Sequence, residues 1–550
     1  MARLAWRSIL LAGLSALPAQ AAPAGGGAPV AGGTLIYLEK QPHRNLYPPA
    51  GGFYPNGGIL NQITDRLTWQ DPRTLRILPW IAQSWTVNDA YTEFTFHIRR
   101  GVTFSDGTPL DAAVVARNFD IYGKGDRALK LPPSEVINNY DHSEVVDPYT
   151  VRFYFTRSSP GFLQGTSVIG SGLVSLATLR RPFDDMGKAT AIVGSGPFVV
   201  SHEILGKEVD LVARGDYAWA PPPFAGQGRA RLDAIRILVV PEDSIRIGAL
   251  LAGQADFIRQ VEAYDEEQVA LRGYDLYAQS TRGVDNGLAF RPENPIVADL
   301  RVRQALLHAT DRKEIADTLY SVHYPVARGL LAGTAAGFTD LSPLLTYDPA
   351  LARHLLDEAG WRLGPDGLRY RDGQKLVLGV HESLPQPQSK TMLELIAQQW
   401  RRMGVQLNVM SGSAAGVILD NLNPLRAPVA PAEVGRADPD VVKSMFYPRN
   451  RDMLLQRGGQ STKVHHFLDP ALNGQLDAVA SATDPAERLR LLQGVQAYIL
   501  QQAYYIPIFE EPQVYAGARN VRAMAFEAVG RPWFYPAWLA HPAGRQAGRP

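Results

Sequence analysis

The 550-residue chain contains no cysteine. That excludes disulfides, thiolate metal ligands and a thiol nucleophile, and it excludes a lipid anchor attached at a cleavage-site cysteine. No segment carries 18 uninterrupted apolar residues, so no stretch reads as a membrane-spanning helix. There is no excess of charge of one sign: 55 Lys and Arg stand against 54 Asp and Glu. No strong field therefore draws the chain to nucleic acid or an anionic membrane. The catalytic signatures are missing as well. There is no G-x-S-x-G nucleophile elbow, no G-x-x-x-x-G-K-[ST] phosphate loop and no H-E-x-x-H zinc helix. His202-Glu203 and His381-Glu382 lack the second histidine. Gly194-Ser195-Gly196 leads into Pro197-Phe198-Val199-Val200, a turn into a strand, whereas a dinucleotide site needs a turn into a helix.

What is present is a globular composition, 45% apolar and 20% charged, in a chain too long for one core, so two or more domains are expected. Gly 50 and Pro 41 imply many turns and strands. Arg3 and Arg7 precede an apolar run, Ile9 to Leu17, and then Ala19-Gln20-Ala21, an export signal with its cleavage site. Removing residues 1–21 takes away two arginines and leaves 53 basic against 54 acidic residues, a net charge of −1. The expected product is soluble and periplasmic. Residues 22–33, rich in Ala, Gly and Pro, read as a flexible leader.

Alternating apolar residues predict strands at Thr34–Leu38, Tyr91–Arg99, Thr150–Thr156, Val209–Ala213, Ala234–Val240 and Lys375–Val380. Helices are expected chiefly after residue 300. Asp311 with Glu314 forms a capping box, and Asp348-Pro349 and Asp484-Pro485 each place a cap before a proline. The stripe Met392, Leu395, Ile396, Trp400, Met403 stops at Gly404. The sum is a mixed α/β chain. Residues 41–58, QPHRNLYPPAGGFYPNGG, form an aromatic loop. Tyr47, Phe53 and Tyr54 there either pack on one another or meet a ligand. His465-His466 would point to opposite sides of an extended segment, so no metal site is expected there. Asp438-Pro439-Asp440 offers carboxylates to a cation or caps its own turn.

Several stretches in order resemble the family 5 extracellular solute-binding proteins. They begin with LPWIAQSW at 78–85 and YTEFTFHIRRGVTFSDGTPL at 91–110, and continue with VVDPYTVRF at 145–153, VGSGPF at 193–198 and ALLAGQADF at 249–257. DLRVRQALLHATDRKEI at 299–315, YDPALARHLLDEAGW at 347–361 and ATDPAERLRLLQGVQAYI at 482–499 complete the series. The resemblance spans residues 33 to 535. It implies a two-lobed clamp with a hinge. Lobe one would comprise 34–60, 195–285 and 505–545, with 61–194 as an extra subdomain. Lobe two would comprise 286–504, with crossings near 280–290 and 500–510. It also implies a monomeric binder without catalytic residues or cofactor, which delivers its solute to an ABC permease and ATPase in the inner membrane. In peptide-binding relatives an acidic residue of the second lobe pairs with the ligand's amino group, and the matching stretch offers Asp438 or Asp440. Arg436 replaces the family's tryptophan there and suits an anionic group, and Arg282 near the first crossing is a candidate carboxylate partner. The solute class is thus a peptide or peptide-like molecule. The alternatives are a metal chelate (an opine, a siderophore-like metallophore or a nickel complex) and, as a different class, an exported hydrolase.

Overall fold

The computed structural model describes residues 28–383, 385–412, 423–447 and 468–540. The export signal, most of the leader and His465-His466 lie outside these residues. Two sheets organise the chain. The first has seven strands in the order Asp275–Ser280, Pro512–Gly517, Phe257–Arg259, Thr34–Glu39, Ala234–Val239, Glu208–Ala213, Phe198–Ile204. The N-terminal strand runs parallel to both neighbours, Thr34 opposite Ala234 and Tyr37 opposite Phe257. Pro512–Gly517 inserts antiparallel between Phe257–Arg259 and Asp275–Ser280, so the end of the chain completes the sheet that its beginning started.

The second sheet has five strands, Gln406–Met410, Val377–His381, Val429–Val434, Val284–Phe290 and Tyr505–Phe509. Val284–Phe290 is its hub, buried throughout and antiparallel to both neighbours. The chain passes from the first sheet to the second through Thr281–Gly283 and returns through Glu510–Glu511. Between residues 61 and 194 a four-stranded antiparallel sheet joins Ala82–Val87, Glu93–Ile98, Thr150–Phe155 and Tyr140–Asp147. Phe94, Phe96, Phe153 and Phe155 are buried there and pack around Phe162, the first three edge-on and Phe155 tilted.

The predicted strands and helices are present, with small shifts. Lys375 falls in the short strand Gln374–Lys375, so the longer strand starts at Val377. Asp311 accepts from the Glu314 amide, Asp348 from those of Ala350 and Leu351, and Asp484 from that of Glu487. These caps hold helices Arg312–Leu319, Pro349–Glu358 and Pro485–Gln501. Helices are not confined to the region after residue 300. Ala112–Lys124 is a 13-residue helix capped by Asp111 and buried along Val114, Val115, Phe119 and Tyr122. Its β-branched and aromatic content hides the helical period from a pattern reading.

Candidate functional site

A cavity of about 740 Å³ separates the two lobes. Its wall draws on both. Phe53, Tyr54, Trp69, Gln164, Arg259 and Arg531 come from the side of the seven-stranded sheet, and Glu433 to Arg436 from the five-stranded side, while Glu511 stands at the second crossing. Trp69 anchors an aromatic wall, its ring 5.0 Å from Trp533 and 5.6 Å from Trp80.

The lobes meet around this cavity in a closed arrangement. Tyr54 donates its hydroxyl to the Val529 carbonyl at 3.1 Å and lies against Gly435. A Cβ on Gly435 would stand 2.1 Å from that hydroxyl. The Gln70 amide donates across the gap to the Ala437 carbonyl at 3.0 Å, and the Ala437 methyl packs with Ala528, Val529 and Leu75. One short segment, Gly435 to Ala437, thus carries the second lobe's contact with Tyr54 and Gln70 of the first.

Of the residues singled out from the sequence, Phe53, Tyr54 and Arg436 border the cavity. The Phe53 ring carries the Arg44 guanidinium at 4.2 Å and the Tyr54 ring that of Arg531 at 4.4 Å. Tyr47 lies elsewhere, fully buried against Tyr122 and Phe183 at 5.8 and 6.2 Å, so it belongs to the core. Arg282 sits in the first crossing with φ +56°, held by the Pro72 carbonyl at 2.7 Å and the Thr334 carbonyl at 3.2 Å, and does not border the cavity. Asp438 and Asp440 do not border it either. Asp438 takes the Arg436 Nε and the backbone amide of Asp440, the latter at 2.7 Å. Asp440 pairs with Arg488 at 2.7 Å. Arg436 also donates to Ser444 at 2.9 Å. Arg436 is therefore an internal counter-ion for Asp438.

Other functional candidates were invisible in the sequence. Arg66, Arg259 and Arg531 border the cavity, and each has an acid: Arg531 and Arg66 share Glu527 at 2.7 and 3.6 Å, and Arg259 meets Glu39 at 2.6 Å. Glu511 is 5% exposed. Burial first and the charge of Glu433 second push its carboxyl well above the usual carboxylate range. These residues are strewn from position 39 to 531 with no local spacing in common. The one local hint is Glu510-Glu511, two acids directly after the apolar strand Tyr505–Phe509. Among the described residues no group of three or more His, Asp or Glu side chains is placed to hold a metal ion, and no helix is long and apolar enough to cross a membrane.

The chain is similar to known proteins over most of its length. It is 24% identical to the glutathione-binding protein GsiB of Salmonella choleraesuis over 465 residues, 82% of this chain and 83% of the relative. It is 27% identical to heme-binding protein A of Haemophilus influenzae over 478 residues, 81% of each. The fold matches that of the periplasmic binding protein DppA from Helicobacter pylori in complex with the peptide STSA. The TM-score is 0.76 at 19% identity, covering 93% of this chain and 98% of that one. The family model of bacterial extracellular solute-binding proteins, family 5, matches residues 76–445. The chain belongs to the family 5 bacterial extracellular solute-binding proteins, the solute-capturing components of ABC importers.

Proposed function

We propose that the protein works in the periplasm as a monomer, closes its lobes on a peptide or peptide-like solute without covalent chemistry, and delivers it to an ABC permease and its ATPase. The observation that carries this reading is the cavity between the lobes. Its volume lies within the roughly 300–1,000 Å³ that small-ligand sites span. Solute that touches both walls binds the shut form better than the open one, and this differential affinity drives closure. Aromatic surface at Trp69, Phe53 and Tyr54 beside carboxylates and arginines suits a molecule with apolar side groups and charges of both signs. The similarity to proteins that bind glutathione and a peptide supports the same class.

An anionic metal chelate would call for arginines with charge to spare. Of the arginines that border the cavity, Arg66, Arg259, Arg436 and Arg531 each already face a carboxylate of the protein and Arg44, stacked on Phe53, does not among the described residues; with one such cation against four neutralised ones the peptide class is favoured. The test is a thermal-shift and small-angle scattering panel of glutathione, trialanine, tetraalanine, a nickel–histidine complex and heme. A bound peptide at a hundred times its Kd stabilises by about 2.7 kcal/mol and shrinks the radius of gyration. Stabilisation by the chelates alone would overturn the peptide reading, and release of free amine from the peptides would overturn the absence of chemistry.

A further inference from the structure

We propose that Glu511, with Glu433, forms a subsite for a cationic group of the solute, an ammonium or a guanidinium. The proposal rests on the interlobe cavity being the solute chamber. Asn286, in the hub strand, lies between the two acids. Glu433 is on the strand to one side of it, and Glu511 follows the strand to the other side, where Asn286 faces Phe509 in register. Both carboxylates border the cavity.

Glu511 is the acid whose needs the protein leaves half met. One oxygen accepts from the Asn286 amide at 2.5 Å, a neutral donor. Among the described residues no Lys or Arg nitrogen forms an ion pair with it, although it is more than nine-tenths buried. The nearby cation, Arg259, is committed to Glu39 at 2.6 Å and to the Gln513 side chain at 2.9 Å. A buried carboxylate without a cation is costly, and here the open cavity is the side from which one can come. The surroundings agree. Burial, Glu433 and Glu262 all act to keep Glu511 protonated, against the Asn286 hydrogen bond and Arg259. Tyr54, Tyr320, Tyr324 and Tyr505 also sense its charge. An incoming cation reverses that balance by taking the proton's place.

Asp438 and Asp440 cannot take this role while they hold Arg436 and Arg488. The acid left to receive a cation is Glu511, at the crossing between the lobes, where binding and closure act on the same few residues.

The test uses n-butylammonium as the probe and n-butanol as its neutral match, with the full-length mature protein, read by saturation-transfer NMR. Butylammonium should bind and butanol should not. Glu511→Gln keeps an acceptor for Asn286 and should weaken the probe about ten- to a hundredfold, the range for a hydrogen bond to a charged group. Glu433→Gln provides a second variant should the first not fold. Equal binding of butylammonium to wild type and to the folded variant, or none to wild type, overturns the proposal. Trialanine against N-acetyltrialanine separates this from the peptide reading. If both peptides bind equally, the subsite is wrong and the peptide reading stands. If butylammonium depends on Glu511 while no peptide binds, the subsite stands and the peptide reading falls.

Discussion

Gly435→Ala tests whether the close approach of Tyr54 to the second lobe is the contact that permits closure. The glycine is not in the left-handed backbone region, so alanine adds no backbone strain. What it adds is one methyl, 2.1 Å from the Tyr54 hydroxyl, 3.1 Å from Tyr54 Cζ and 3.2 Å from Thr281 Cβ. The first distance is about 1 Å short of ordinary contact, and Tyr54 is held from behind by Arg531 and the Val529 carbonyl. Overpacking of this kind costs about 1–3 kcal/mol. Only the shut form pays it, because in the open form Tyr54 leaves Gly435. Affinity for the solute should therefore fall about five- to a hundredfold, at 1.4 kcal/mol per decade, with the unliganded melting temperature unchanged. Tyr54→Phe in the same chain removes the clashing oxygen and should restore much of the loss, beyond the roughly 1 kcal/mol that its own hydrogen bond contributes. Calorimetric titration with the tightest peptide of the panel reads the affinities, and scattering reads the closure. Wild-type affinity and full closure in Gly435→Ala would refute the role of this contact, as would a double variant no better than the single one.

Two further outcomes follow from buried charge. Asp438→Ala strips Arg436 of its counter-ion and the Asp440 amide of its acceptor, and breaking a buried pair costs about 3–5 kcal/mol, so urea unfolding without ligand should show that loss. Unchanged stability with weakened solute binding would instead make Asp438 a ligand contact. Asp65 is buried beneath Tyr217 and Trp219, and burial lifts its carboxyl to about 7 despite hydrogen bonds from both. The folded state thus holds a proton that the unfolded chain releases above its usual pKa of 3.8. Stability from this group is full below that value, declines by about 4 kcal/mol as pH rises to about 7, and then levels. Asp65→Asn should flatten melting temperature across pH 4–7, and an unchanged slope would show that Asp65 ionises freely.

The sequence determined the local elements and the family. Asp348-Pro349 and Asp484-Pro485 mark helix starts because a cap and a proline act on the next few residues alone, and Phe94, Phe96 and Ile98 mark a half-buried strand by their period. The ordered blocks from 78 to 499 carried the likeness to solute-binding proteins, while the composition of the separate loop at 41–58 offered Tyr47, Phe53 and Tyr54 alike as either packed rings or ligand contacts, of which Phe53 and Tyr54 border the cavity. Tertiary structure decided the rest. Tyr47, six positions from Phe53 in the same loop, turns into the core, because the short turn at Pro48–Ala50 changes the chain's direction between them. Asp438 reads as an open acid until Arg436 is seen closing on it. Glu433 and Glu511 lie 78 positions apart and become one site only because both flank Asn286 in the second sheet. Capping and periodicity are short-range and survive in one dimension, whereas a ligand's partners are chosen by which side chains the folded lobes bring together at the gap between them.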